Sequence, residues 1–427
     1  MSSVETTVTS TRPYRPGARR DFRKYLCGSG TSTFGTMFTG VATAALAVEA
    51  FQITGREAAM LRIAAALPVL FFAPLVGALV DRMPRPRRVL IVAELIAAVA
   101  VGLFAAGVAT GVATFTLLLI LTVGLGATTT LAATAFFTHL NSLRLDHLPT
   151  ARAKMQTTDS AVGVGASALA GPIVAAFGPA VALVTDSISY LLSAAWLKSI
   201  STPDHNPARS TPTSARTIPQ DLREGARVLL RSQLRPVVGY FLIFQAAFTG
   251  AVALKAIYLL RTLDIPLYLY GVPGLSAALL GIAGALFATR LLTAGCRPGR
   301  ATAGWWVGSA LSLLTLPIAG GPPVVAVSMV SLTLGVMSMC GAAGNVTLVA
   351  LFSEAIPERA MGRVNGMLMV MGTLATIIGA PIAGELADRF GVRTALWVCA
   401  TAGLCGLPLL RSWWRRDRPP ATPSGRR

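Results

Sequence analysis

The stretch Gly77-Ala78-Leu79-Val80-Asp81-Arg82-Met83-Pro84-Arg85-Pro86-Arg87-Arg88 separates two long apolar runs, 59–80 and 89–110. Each run has about the 20 residues that a helix needs to cross the hydrocarbon core of a bilayer. Between them the prolines interrupt helical hydrogen bonding, and the arginines are too costly to leave unpaired in lipid. The insert therefore reads as a short loop held at one membrane face, with a span on either side.

The same unit recurs outward from it. Apolar segments fall at approximately 26–51, 59–80, 89–110, 112–138, 156–177, 180–199, 236–260, 271–293, 302–319, 323–350, 364–386 and 394–412. Composition agrees, with 53% hydrophobic and 13% charged residues and a mean hydropathy of +0.63 over 427 residues. Backbone in lipid must satisfy its own polar groups, and these segments lack the alternation of barrel strands. An all-α integral membrane protein of twelve transmembrane helices is the expectation.

Lys and Arg set the orientation. With a cytoplasmic N-terminus, 31 of the 37 fall on inner segments and their helix ends, and Arg56, Arg62, Lys255, Arg261, Arg389 and Arg393 remain at or near the outer side. This is the bias of loops that stay in the cytoplasm, so both termini are expected inside a cell (inner or plasma) membrane. It also accounts for the net charge of +19 without nucleic acid, because no basic segment stands on a soluble domain. Trp196, Trp305, Trp306, Trp413 and Trp414 are expected as anchors at the inner interface and Trp397 at the outer one. The first span follows a basic tail and contains Ala47-Val48-Glu49-Ala50, but its apolar stretch is longer than the core of a signal peptide.

A polar stretch with Pro203, Pro207, Pro212 and Pro219 follows the sixth span and reads as a flexible linker. It ends in an amphipathic helix, in which Leu222, Ala226 and Leu229 oppose Arg223, Arg227 and Arg231. Such a helix either lies on an anionic leaflet or is simply solvated. The expected organisation is a cytoplasmic tail (1–25), a six-helix bundle (26–199), the linker (200–235), a second six-helix bundle (236–412) and a tail (413–427). The halves echo each other: Ala170-Gly171-Pro172-Ile173 in the fifth span matches Gly379-Ala380-Pro381-Ile382 in the eleventh, and each is followed by Phe-Gly. A parallel duplication gives this pattern. Five cysteines and three histidines lack metal-ligand spacing, so no metal, disulfide or cofactor is expected and the cysteines read as packing residues.

Gly-x-x-x-Asp-Arg-x-x-Arg between the second and third of twelve spans closely resembles the cytoplasmic loop signature of the major facilitator superfamily, whose fold is two six-helix bundles. The resemblance implies a gating role for Gly77, Asp81, Arg82, Arg85 and Arg88. Gly163, Gly171 and Pro172 resemble the glycine-proline signature of the superfamily's drug-exporting antiporters, which adds Gly171 and Pro172 to the gating set; Ala175 and Ala176 depart from it. Asp186-Ser-Ile-Ser-Tyr190, Leu222-Arg-Glu-Gly225 and Pro357-Glu-Arg-Ala-Met-Gly362-Arg363-Val364 resemble the macrolide-efflux and enterobactin-exporter-like branch. The fourth span has no arginine, Thr289-Arg290 stands where a second Asp-Arg is expected, and Asp388-Arg389 falls on the outer side. These departures weaken the case for proton coupling, not for the fold.

A rise of about 1.5 Å per residue puts Thr36 and Gln245 near mid-membrane, with Phe244, Phe248, Met337 and Met339 close by. Aromatic and thioether surfaces with a few hydrogen-bonding groups suit an amphipathic ligand, though such residues also pack helices. Among ionisable groups within spans, Asp159 and Glu49 are the proton-coupling candidates, with Glu94 and Asp186 as rivals better explained by interhelical hydrogen bonding. The expected function is proton-antiporting export of a small amphipathic molecule, a drug, antibiotic or siderophore-like compound, by a monomer in contact with membrane lipids. A proton-linked importer is the alternative on the same fold, and a non-transporting membrane sensor the alternative of another class. The chain has no phosphate-binding Gly-x-x-x-x-Gly-Lys-Ser/Thr loop and no convergent nucleophile, base or metal ligands, so no enzyme is expected.

Overall fold

The computed structural model describes residues 18–82, 85–142, 148–202, 223–224, 226–227, 229, 234–356 and 358–410; of these, residues 18, 72–82, 134, 137–138, 140–142, 148–149, 152–153, 355, 358–360 and 362 are described in backbone only. Among the described residues the chain is helical throughout, with no strand. Span one is Ala18–Ala45, continued by a π-helical turn, Leu46–Ala50. Spans two, three and four are Gly55–Arg82, Pro86–Ala109 and Phe115–Ser142. Spans five and six lie in Leu148–Lys198, broken at Gly178. Span seven is Arg235–Ile257, followed by a second π-helical turn, Tyr258–Thr262. Spans eight to twelve are Val272–Thr293, Pro298–Thr315, Pro323–Ala355, Glu358–Phe390 and Val392–Cys405.

Local sequence explains where these helices start. Pro86, Pro236, Pro273, Pro298 and Pro323 stand in the first turn of their helices, where a missing N–H leaves nothing unpaired. Nine helical segments among the described residues are long and apolar enough to cross a membrane, one of them holding both spans five and six; the helices outside that set are Gly55–Arg82 and Pro298–Thr315.

The duplication is written in the backbone. After each π-helical turn the chain reverses through the left-handed region at a non-glycine residue, Gln52 (φ 49°) and Asp264 (φ 48°). The hydrogen bonds match too: Phe51 N to Leu46 O and Ile53 N to Ala47 O in one half, Leu263 N to Tyr258 O and Ile265 N to Leu259 O in the other. Spans five to six and eleven to twelve turn at Gly178 (φ 83°) and Gly391 (φ 87°), the glycines of the repeated Phe-Gly pairs. A side chain would be strained at those φ values, which is why the repeat keeps glycine there.

Within the first half, span one packs on the five–six helix, span three on the same helix and on span four, and span two on span four. In the second, span ten packs on eight and nine, and span seven on eleven and twelve. Spans two and eleven, five and eight, and two and seven join the halves. Burial shows where. A large apolar cluster containing Phe38, Leu46, Ile53 and Leu183 together with Leu254, Tyr258, Leu313 and Leu396 belongs to both halves and fills the end away from the chain termini, the distal end. At the terminal end the buried apolar residues described form two separate clusters. One, with Phe22, Tyr25, Leu90 and Leu197, is entirely of the first half; the other, with Tyr240, Trp306, Phe352 and Val364, belongs to the second half and the linker's Leu229.

Three sequence expectations change here. Trp306 is 7% exposed inside the second half's cluster, against Tyr240, and is a core residue, not an interfacial anchor. The linker helix docks on protein through its apolar side: Leu229 is 1% exposed in that same cluster and Glu224 pairs with Arg363 at 2.9 Å, while Arg223 and Arg227 are exposed. Cys340 and Cys399 are buried as packing residues, whereas Cys27, Cys296 and Cys405 are exposed. Trp413, Trp414 and the linker prolines lie outside the described residues.

Candidate functional site

Hydrogen bonds and close backbone contacts cross between the halves at the distal end. Asp388, near the end of span eleven, accepts from the first amides of span two, Gly55 N to Oδ1 at 2.6 Å and Arg56 N to Oδ2 at 3.0 Å. A carboxylate there satisfies otherwise unpaired donors and complements the positive end of the helix dipole. Glu385, one turn earlier, takes the Arg56 guanidinium in a fork, Nη2 to Oε1 at 2.8 Å and Nε to Oε2, and also receives Arg389. Below these charges Gly55 and Gly384 touch backbone to backbone, so that a Cβ on Gly55 would come 2.5 Å from Gly384 O.

Two further distal contacts complete the closure. Arg261, in the π-helical turn after span seven, donates to Ile53 O at 3.0 Å and Val48 O at 3.2 Å. Val48 lies in the first π-helical turn and Ile53 just beyond it, so Arg261 ties the π-turn of one half to that of the other. Gly171 of span five lies against Leu267 O and Tyr268 O, at 3.0 and 2.9 Å from where its Cβ would be, and Gly271 against Ser167 O. Gly171, assigned to gating from the sequence, thus belongs to a contact between the halves, while its neighbour Pro172 is exposed. Asp388-Arg389, set aside as an outer-side copy of the loop signature, is part of the same closure.

The other proposed gating residues stand at the terminal end. Gly77, Asp81 and Arg82 end span two, with side chains outside those described. Arg85 and Arg88 are exposed at the start of span three. The neighbouring Arg87 donates to Ile200 O at 2.6 Å and Thr202 O at 3.0 Å. Asp21 accepts from Ser201 N at 3.1 Å and Thr202 N at 2.8 Å. Together they fix the chain where it leaves span six for the linker.

Between its ends, span one is a hub of hydroxyls. Ser29 Oγ donates to Asp159 Oδ1 at 2.8 Å, with Thr33 at 3.5 Å from the same oxygen. Ser32 reaches Glu94 Oε2 at 3.4 Å, and Thr39 donates to Asp186, which is fully buried and also accepts from Ser189 Oγ at 3.1 Å. Gly35 makes the room, since a Cβ there would collide with Ser189 and Asp186. Thr36 is exposed on this helix and shares a hydrogen bond of 3.2 Å with Tyr190 OH. The structure therefore joins Asp159 and both of its rivals to one helix, through neutral groups that can each donate or accept. Glu49 sits apart, exposed in the first π-helical turn.

In the second half, span seven carries Phe244, Gln245 and Phe248, all partly buried. The two rings stack with centroids 6.3 Å apart, Phe244 against the terminal cluster of its half and Phe248 against the shared distal one. Met337 is 8% exposed within the distal cluster against which Phe248 packs, and the Met339 backbone meets Gly284 of span eight. Among the described residues no group of three His, Cys, Asp or Glu gathers at metal-binding spacing.

No curated protein matches the chain in sequence. Solved structures match its fold. The nucleoside transporter NupG superposes with a TM-score of 0.74 at 11% identity, over 94% of this chain and all of that one. The human organic anion transporter MFSD10 (TETRAN) does so at 0.61 and 15% identity, over 93% and 100%. A bacterial homologue of the human lysosomal transporter Spinster, in an inward-facing and occupied conformation, gives 0.69 and 12% identity over 96% and 100%. The profile of the Major Facilitator Superfamily matches residues 25–340 and 301–427. With two six-helix halves closed on each other at one end and a signature loop after span two, the chain belongs to the Major Facilitator Superfamily, a family of membrane transporters.

Proposed function

We propose that the chain is a secondary active exporter of a small amphipathic molecule, a drug, antibiotic or siderophore-like compound, of the macrolide-efflux and enterobactin-exporter-like branch. The observation that carries this reading is the partition of the apolar core, shared by both halves at the distal end and divided between them at the terminal end. The Lys and Arg bias assigns the terminal end to the cytoplasm of a cell membrane, so the arrangement is the inward-facing state of an alternating-access cycle, from which an exporter loads. The halves correspond to residues 26–199 and 236–412, joined by the linker at 200–235.

Thr36 and Gln245 supply hydrogen bonds to the cargo from opposite halves, and the Phe244–Phe248 stack supplies apolar contact. Met337 and Met339 are the further candidates for apolar contact. Asp159 is the proton carrier; Glu49, exposed near the distal closure, is the second candidate. The reverse swing requires the distal contacts around Gly171, Pro172 and Gly384 to part, and Gly77, Asp81, Arg82, Arg85 and Arg88 to hold the terminal end shut. Asp81→Asn accordingly retains insertion but slows transport several-fold; normal flux in that variant removes the gating role.

The experiment is accumulation of a panel of antibiotics and siderophores in cells with and without the protein, with and without an uncoupler. Lower accumulation that the uncoupler abolishes supports export. Uncoupler-sensitive uptake, read in vesicles under a pH gradient of either sign, would make the protein an importer, and ligand binding without flux would make it a sensor.

A further inference from the structure

Two cations stand just beneath the distal closure without an acidic partner among the described residues. Arg62 lies seven residues into span two from Gly55 and Lys255 six residues before Arg261 on span seven, which places both about 10 Å inside the closed end. They come from opposite halves, on helices that touch. Arg62 Nε is buried and has no hydrogen-bond partner. Lys255 Nζ lies 5.6 Å from the centroid of the Tyr270 ring, a cation–π contact at the start of span eight, and Tyr270 itself is 8% exposed.

Of the acids at this end, Glu49 and Asp264 are exposed, and neither forms an ion pair with Arg62 or Lys255 among the described residues. Glu385 and Asp388 serve Arg56, Arg389 and the start of span two. Glu57 accepts from Thr54 N at 2.8 Å. Asp159, Glu94 and Asp186 face the hydroxyls of span one. Like charges held together away from water without a counter-ion are costly, and the cost falls on the state in which the halves converge.

We infer that Arg62 and Lys255 form an anion site at the apex of the space between the halves, which takes a carboxylate, sulfonate or phosphate group of the transported molecule. This rests on the transport reading above and narrows its cargo to an amphipathic anion. The anionic group bridges the two cations while the apolar body lies toward Phe248 and Phe244. Because each half contributes one cation, the bound anion replaces repulsion across the distal contact with attraction to both sides, coupling cargo to conformation.

Two measurements on the full-length protein test it. In a background with the five native cysteines replaced by serine, Lys255→Cys should react faster with an anionic methanethiosulfonate than with a cationic one, relative to their rates on a free thiol. Adding Arg62→Gln should remove most of that preference. In the unaltered protein, 2-naphthoate should bind at least about tenfold more tightly than 2-naphthamide; Lys255→Gln should erase the difference and Lys255→Arg keep it. Equal labelling by the two reagents, or naphthamide binding as tightly as naphthoate, overturns the site, as does failure of naphthoate to bind at millimolar concentration. Uncoupler-sensitive export of a neutral cargo alongside such a failure would leave the transport reading standing, and charge-selective binding without flux would do the reverse.

Discussion

At the residue scale the hub on span one is defined by what Gly35 lacks. A methyl group on Gly35 would sit 2.7 Å from Ser189 Cβ and closer still to the Ser189 hydroxyl and the Asp186 carboxylate. Both side chains are buried and cannot swing into solvent, so Gly35→Ala should cost about 1–3 kcal/mol, as overpacking in a close-fitted core does. Thermal unfolding in detergent reads this as a lowered midpoint, and an unchanged midpoint would mean that spans one and six pack more loosely than described. Asp159 offers the functional counterpart. Its partners Ser29 and Thr33 are neutral, so Asp159→Asn keeps both hydrogen bonds while removing the titratable group. Flux driven by a pH gradient should fall at least about tenfold with ligand binding retained, since an amide cannot carry the proton that a carboxylate can; undiminished gradient-driven flux would move coupling to another group. The sequence exposed these acids one by one, because a carboxyl within an apolar run is conspicuous. It could not show that Asp159, Glu94 and Asp186 converge on one helix, since hydroxyls are ordinary within membrane spans and neighbours around a bundle are far apart in the chain.

At the scale of elements, the helix ends carry the information. The apolar runs located each span, but run length ends where polarity begins, and helices ten and eleven continue past that point to 33 residues each. The two π-helical turns left no mark that apolar periodicity could register, because their distinguishing feature is backbone hydrogen bonding. They became visible only as a matched pair, Leu46–Ala50 and Tyr258–Thr262, before the matched left-handed residues Gln52 and Asp264. The latch between the end of span eleven and the start of span two is similar: Asp388-Arg389 was legible as a motif, but its partner lay 332 residues away in the chain. The Arg56–Glu385 pair is exposed to solvent, so it should bias the distal closure rather than hold it. Arg56→Gln should raise labelling of a mid-membrane cysteine by an externally added reagent about two- to threefold, the size expected of a screened surface pair, and 0.5 M salt should have a similar effect. The exchange Arg56→Glu with Glu385→Arg should restore the wild-type rate; failure to do so would show that Arg56 acts through its backbone amide on Asp388 alone.

For the whole molecule, the decisive contrast is between a core that both halves share and two that they do not. Alternating access demands that the shared contact be reversible, and at its rim the chain has built it from glycines laid against backbone carbonyls and from a few charges. Gly384 is the place to test this, because any side chain there would strike the backbone of Gly55 and the Ala59 methyl. The collision exists only while the halves are closed distally; once they swing apart the same side chain is harmless. Gly384→Val is therefore a selective penalty on one state, and since each 1.4 kcal/mol shifts a two-state population about tenfold, even a partly relaxed clash should move the equilibrium by an order of magnitude or more. With Thr36→Cys as reporter, an impermeant thiol reagent added outside should label the Gly384→Val protein at least about tenfold faster than the parent, and labelling from the cytoplasmic face should slow in step. If outside labelling stays slow while the variant folds and inserts normally, the halves do not part at the Gly55–Gly384 contact, and the rocking motion must hinge there instead of opening there.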